Sequence, residues 1–132
     1  LGGSELEVET IKEDSVDLSR MIQIIKEHPD YPKIGMIASH LGVVRGTSLN
    51  GKRVKGIDVR FDKNSVQKII SDIKEMTGIV QVLVETSGGR LKVGEEVMAV
   101  VVAGDTRDHV FPALMNAVNR LKAEAATKKE IL

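Results

Sequence analysis

The stretch IVQVLVETSGGRLKVGEEVMAVVVAG, residues 79–104, decides the fold. Its two ends, IVQVLVET (79–86) and EEVMAVVVAG (95–104), are near-continuous apolar runs of strand length. A strand with one wet face alternates apolar and polar residues, whereas a run this uniformly apolar needs cover on both faces. Both are therefore predicted as strands buried on two faces or at the centre of a sheet. Between them SGGRLKVG (87–94) reads as a turn-rich link. Its SGGR could cradle a phosphate through backbone amides, but no helix N-terminus follows directly, and a turn explains the glycines better.

Working outward, NSVQKIISDIKEMTG (64–78) sets Val66, Ile69, Ile70, Ile73 and Met76 on one helical stripe, with Gly78 available as a left-handed C-terminal cap. On the other side Val110, Phe111, Leu114, Ala117, Val118, Leu121 and Ala125 repeat at helical spacing. Asp105 or Asp108 can cap that helix, and Pro112 favours the later cap because proline suits a first turn. DLSRMIQIIKEH (17–28) predicts a further helix with Asp17 as N-cap and Pro29 beyond its end. KIGMIASHLGVV (33–44) and KRVKGIDVRF (52–61) read as the arms of a long hairpin that turns at Asn50-Gly51. ELEVETI (5–11) alternates like a half-buried edge strand. The expected architecture is one α+β domain over residues 4–132, a mainly antiparallel sheet packed with about three helices. Residues 1–3 are set aside because the chain opens without methionine.

Composition narrows function. Nineteen basic residues balance nineteen acidic ones, and aromatic side chains are limited to Tyr31, Phe61 and Phe111, so neither a global field nor base-stacking platforms point to nucleic acid. No apolar stretch approaches the roughly 20 residues of a membrane span, so no membrane partner is expected and a cytoplasmic location is the default. With no cysteine there is no thiol nucleophile and no thiolate-ligated metal. His28, His40 and His109 are scattered without ligand spacing, so no metal site is expected. No serine sits in a recognisable nucleophile motif.

Cations at element ends carry more promise. Arg45 closes a predicted strand in GVVRG (42–46), where Gly42 and Gly46 let a ligand approach the backbone. Arg107, in AGDTRD (103–108), stands beside the amide-rich start of a helix, which itself favours anions. Near the C-terminus VNRLKAEAATKKE (118–130) holds Lys122, Lys128 and Lys129. A continuing helix would put Lys122 and Lys129 on one face roughly 10 Å apart, and a strand-like tail would bring them closer. Taken singly, lysines at a helix end are usually solvated charges facing the negative end of the dipole.

Taken together, GVVRG, the run GGRLKVGEEVMAVVVAGDTRDHVFPALMNAVNRLK and the terminal KKE resemble the large, catalytic subunit family of molybdopterin synthase, over about residues 34–130. The resemblance implies an α/β hammerhead-like fold and a sulfurtransferase activity. In that activity sulfur passes from the thiocarboxylated Gly-Gly tail of a small ubiquitin-like subunit to cyclic pyranopterin monophosphate, forming the dithiolene of molybdopterin. It implies Lys122 and Lys129 as the catalytic lysines, and Arg45, Arg107, Thr106, Val44 and Glu130 as substrate-binding residues. It also implies a homodimer flanked by two small subunits, a heterotetramer, with no resident cofactor and no metal. The chain departs from the family pattern at Thr106 (a histidine there), at TSGG (86–89), at AEAAT (123–127) and at VRFDKNS (59–65). The alternative is a non-catalytic member of the same fold that acts as a binding or regulatory module.

Overall fold

The computed structural model describes Ile11–Lys12 and residues 15–132. Of the strand expected over residues 5–11, all but Ile11 lies outside the described residues; Ile11–Lys12 (β1) pairs parallel with Val84 and Glu85 at a sheet edge. Helix α1 (Leu18–Lys26) starts as its sequence suggests, the Asp17 carboxylate accepting the Arg20 N–H at 3.1 Å. The remaining elements are β2 (Met36–Val43), β3 (Gly56–Phe61), α2 (Lys63–Lys74), β4 (Ile79–Thr86), β5 (Gly89–Lys92), β6 (Glu96–Gly104), α3 (Arg107–Arg120) and β7 (Ala126–Ile131).

Among the described residues two sheets form, in strand order β1-β4-β6-β2 and β5-β3-β7. Every pairing except β1 with β4 is antiparallel. The first sheet is buried on both faces, as its apolar runs require. Val82, Val84, Met98, Val100 and Val102 pack with Val66, Ile69 and Ile73 of α2 and Val110, Ala113 and Ala117 of α3. The alternate residues Leu83, Ala99, Val101 and Ala103 meet Met21 and Ile25 of α1. Each large aliphatic side chain so buried contributes about 1.5–3 kcal/mol. A charged tie reinforces the α1 face: buried Glu85 accepts from Arg20 Nη2 at 2.5 Å and from the Asp17 N–H at 2.7 Å.

The long hairpin expected over residues 33–61 does not form. β2 pairs with β6 from Met36↔Gly104 to Val43↔Glu96, while β3 pairs with β5 and β7 in the other sheet. The chain leaves the first sheet at a register shift between Gly42 and Val43, and Val44 is buried with Ile57, Val59 and Leu91 of the second. The turn chemistry was legible, but it closes only a short loop: Gly51 takes φ +85° and Thr47 bridges Arg53. Burial of β6 against β2 outweighs local hairpin propensity. The link 87–94 likewise contains a strand, β5, which pairs with β3.

Helix boundaries also shift. Gly78 does take a left-handed φ of +80°, but in the turn before β4, three residues past the C-cap Glu75. Helix α3 begins behind Thr106 rather than Asp108. Fully buried Val110 closes its first turn on the Thr106 carbonyl at 2.9 Å, and Asp105 accepts from the Thr106 N–H at 2.6 Å. Pro112 therefore lies inside the helix on its exposed side, and Phe111 is 56% exposed instead of joining the buried stripe. At its end α3 widens into a π-helical turn, Leu121–Ala125, and then becomes strand β7. Arg120 braces that turn, its guanidinium bonding Glu124 at 2.9 and 3.0 Å and Asp72 of α2 at 2.8 Å. No helix among the described residues is long and apolar enough to cross a membrane.

Candidate active site

A cleft of about 510 Å³ opens where the two sheets meet. His40, Gly42 and Met98 line it from the four-stranded sheet; Ile57, Val59, Ala126, Lys128 and Glu130 line it from the three-stranded sheet. Lys122 enters from the π-helical turn, and the crossing segment adds Val44, Arg45, Ser48, Leu49 and Val54. Its charged groups are three cations, Arg45, Lys122 and Lys128, against one carboxylate, Glu130. None of these four makes an ion pair among the described residues. Unpaired cations above apolar walls suit an anionic ligand with apolar parts.

Local structure explains who faces in. β7 lies beside β3 with Lys128↔Val59, Lys129↔Asp58 and Glu130↔Ile57 in register. Antiparallel partners share a face and neighbours along a strand alternate, so Lys128 and Glu130 face the cleft with Val59 and Ile57. Lys129 falls on the outer face with Asp58 and Arg90. The helix-to-strand change thus brings a lysine close to Lys122, but it is Lys128 rather than Lys129. Reading ATKKEI with period two would have separated the adjacent lysines; residues 121–125 carry no strand signal to prompt that reading.

Of the residues singled out from sequence, the cleft gathers Lys122, Arg45, Val44 and Glu130. Lys129, Arg107 and Thr106 do not line it. Arg107 and Thr106 follow the C-terminal end of β6, whereas Arg45 follows β2 at the opposite end of the same ladder. Seven residues of strand separate those ends, roughly 25 Å. Within one chain the two arginines do not converge. Asp105 there accepts from His109 Nδ1 at 2.8 Å, and that hydrogen bond is the main cause holding its carboxyl below the usual aspartate range.

His40 was missed as a site residue. It shares the inward parity of Ala38 and Gly42 on β2, a signal visible only once that strand's buried face is known. Its Nε2 is buried without a hydrogen-bond partner among the described residues, a state that costs on the order of 1–3 kcal/mol when nothing fills it. Burial, and secondarily the charge of Lys122, push the imidazole pKa below its ordinary value, favouring the neutral ring. No group of three or more histidine or carboxylate side chains able to hold a metal occurs among the described residues.

Fold and cleft together define an α+β domain that holds cations in a furrow between two mainly antiparallel sheets. The chain belongs to the MoaE protein family, the large subunits of molybdopterin synthase, which it matches over residues 11–124. In structure it is similar to molybdopterin synthase from Staphylococcus aureus, with a TM-score of 0.75 at 19% identity over 92% of this chain and 89% of that one. It is similar also to molybdopterin cofactor biosynthesis protein E from Burkholderia multivorans, at TM-score 0.73 and 24% identity over 91% of this chain and 84% of that one. A third similar chain comes from the complex of subunits 1 and 2 of molybdopterin-converting factor from Helicobacter pylori, at TM-score 0.68 and 18% identity over 92% of this chain and 87% of that one. These likenesses are likenesses of fold. No curated protein sequence matches the chain significantly.

Proposed function

We propose that this protein is the catalytic subunit of a molybdopterin synthase, moving sulfur from the thiocarboxylated Gly-Gly tail of a small ubiquitin-like subunit to cyclic pyranopterin monophosphate. The observation that carries this reading is the placement of Lys122, Lys128 and Arg45 in one cleft of a MoaE-family chain. A compact lysine amine suits acid/base or covalent work, and a nearby arginine suits a phosphate. We assign the paired catalytic role to Lys122 and Lys128. The Helicobacter pylori relative is a two-subunit complex, which supports a small-subunit partner here.

We also propose a homodimer, within a heterotetramer, as the working form. Helices of the same chain cover both faces of β6, so that strand is not the contact. The support for the homodimer is the edge of β2 in the four-stranded sheet, which has no partner strand among the described residues, beside exposed Leu41 and Val43. A second copy could also bring Arg107 to the cleft that Arg45 lines, which one chain does not do. Sedimentation at micromolar concentration checks this, and a monomer would sink it.

The deciding assay mixes the protein with a thiocarboxylated small subunit and the pyranopterin and follows dithiolene formation. Turnover lost in Lys122→Arg and Lys128→Arg but kept in Lys129→Arg is the expected result. The second reading, a non-catalytic binding member, is favoured by Thr106 standing where the family places histidine; native protein that binds the small subunit without turnover would establish it.

A further inference from the structure

The cations of the cleft share it with one neutral group that the sequence reading left unused. We propose that His40 is a further ligand-binding residue, its Nε2–H donating a hydrogen bond to the terminal carboxylate or thiocarboxylate of an extended Gly-Gly tail whose charge Lys122 balances. This rests on the sulfur-carrier reading above.

Three observations converge on it. First, Nε2 is buried and has no hydrogen-bond partner among the described residues, an uncommon state for a ring nitrogen that lines a cavity and one that a ligand atom would relieve. Second, the space beside it is kept free by Gly42. A Cβ built there would lie 3.4 Å from His40 Nε2 and 3.8 Å from Met98 Cγ, so a side chain at 42 would occupy the approach to the ring edge. An approach floored by glycine leaves room for a backbone terminus against the ring edge. Third, the groups differ in kind. Lys122, Lys128 and Arg45 supply charge and many donors, and Glu130 only accepts, whereas a neutral imidazole offers one directional N–H without adding a fourth positive charge. Charge draws the tail in, and the directional donor fixes which way its terminal group faces.

The neutral ring is consistent with its surroundings. Burial and the Lys122 ammonium both disfavour the imidazolium, Arg45 and Lys128 add the same sign of field from their sides of the cleft, and Glu130 alone opposes them. An anion arriving between His40 and Lys122 reverses that balance. The His40 titration midpoint should therefore rise when a carboxylate-ended tail binds, a response that a purely structural histidine would not give.

The test uses the full chain labelled with 15N-histidine and a short synthetic peptide ending in Gly-Gly, in free-carboxylate and amidated forms. The expected result is that the carboxylate peptide moves the His40 Nε2 resonance and raises its midpoint while the amidated peptide does neither. His40→Phe should weaken binding of the carboxylate peptide by about tenfold, the low end for a hydrogen bond to a charged group. His40→Gln, whose amide nitrogen can replace Nε2, should stay within about twofold of native on the same scale. With the small subunit as substrate, His40→Phe should raise KM more than it lowers kcat. Peptide that fails to bind the native chain, a His40 signal indifferent to the carboxylate, or unchanged affinity in His40→Phe each overturns the proposal. A protein that binds the tail through His40 yet makes no dithiolene keeps this inference and loses the synthase reading. Full turnover with unaltered KM in His40→Phe does the reverse.

Discussion

The two sheets of this molecule solve different problems. The four-stranded sheet is sealed between α1 on one face and α2 with α3 on the other, and its central strands β4 and β6 are buried almost end to end. The three-stranded sheet has a small apolar cluster of Val44, Ile57, Val59 and Leu91 on one face and charged Asp58, Arg60, Arg90 and Lys129 on the other. The first is closed because its residues leave no room for anything else. The second leaves a gap against its neighbour, and that gap holds the cleft. Close packing thus sits in one sheet and the candidate site at its border with the other, which fits the general need for site residues to project from well-held elements.

The sharpest way to break this comparison is to exchange the two faces of β7. If the inner face carries the chemistry, Lys128→Ala lowers dithiolene turnover by about 10²–10⁴-fold, the usual range for loss of a positioned proton-transfer group. Lys129→Ala on the outer face then stays within about twofold, as exposed substitutions do. Equal losses at both positions, measured under saturating small subunit, would mean that strand parity does not divide function from solvent here.

Core substitutions probe the same contrast through stability. Leu83 is fully buried under α1, and Leu83→Ala should lower the unfolding free energy by about 3–5 kcal/mol in denaturant titration. Leu91 belongs to the four-residue cluster, and Leu91→Ala should cost about 2 kcal/mol, the low end of the range. Similar values for the two would show that the small sheet is held as firmly as the large one. Between these lies the charged tie on β4. Glu85→Gln leaves Arg20 without its counter-charge and should cost about 2–4 kcal/mol, discounted because Arg20 reaches solvent while Glu85 does not.

The same division explains what the sequence disclosed. Uniform apolar runs over 79–86 and 95–104 announce a doubly covered sheet, because nothing but two-sided burial selects such runs, and the stripes of α1 and α2 announce what covers it. The smaller sheet announces itself poorly. β5 is four residues of GRLK inside a glycine-rich link, and β7 is ATKKEI, whose ends are half-buried and whose middle four residues are exposed. Their strand character comes from pairing with β3, which is a long-range fact. Because β7 was illegible, so was the parity that separates Lys128 from Lys129, although Lys122, Arg45, Val44 and Glu130 could be picked out beforehand. The hairpin failed for a related reason: Asn50-Gly51 correctly signals a turn, but turn residues fix only their own loop, and which strands pair across it is decided by the faces those strands must bury.

The smallest expected effect concerns pH, and it compares the cleft with the far end of β6. His40 has its pKa lowered in the folded protein by burial first and by Lys122 second. Between that depressed value and the ordinary histidine value near about 6.5, the unfolded chain binds more protons than the native one. Stability therefore rises with pH through this window, is complete above it, and is lost as pH falls through the folded pKa. Asp105 beside His109 is depressed chiefly by a hydrogen bond, so its contribution is present above the ordinary aspartate range and disappears only at more acid pH. Chemical denaturation at pH values from about 7.5 down to about 3 separates the two: the slope just below about pH 6.5 belongs to the cleft and the slope below about pH 4 to the junction. In His40→Phe the neutral-range slope should flatten while the acid limb persists. A slope unchanged by that substitution would mean that His40 does not govern the window.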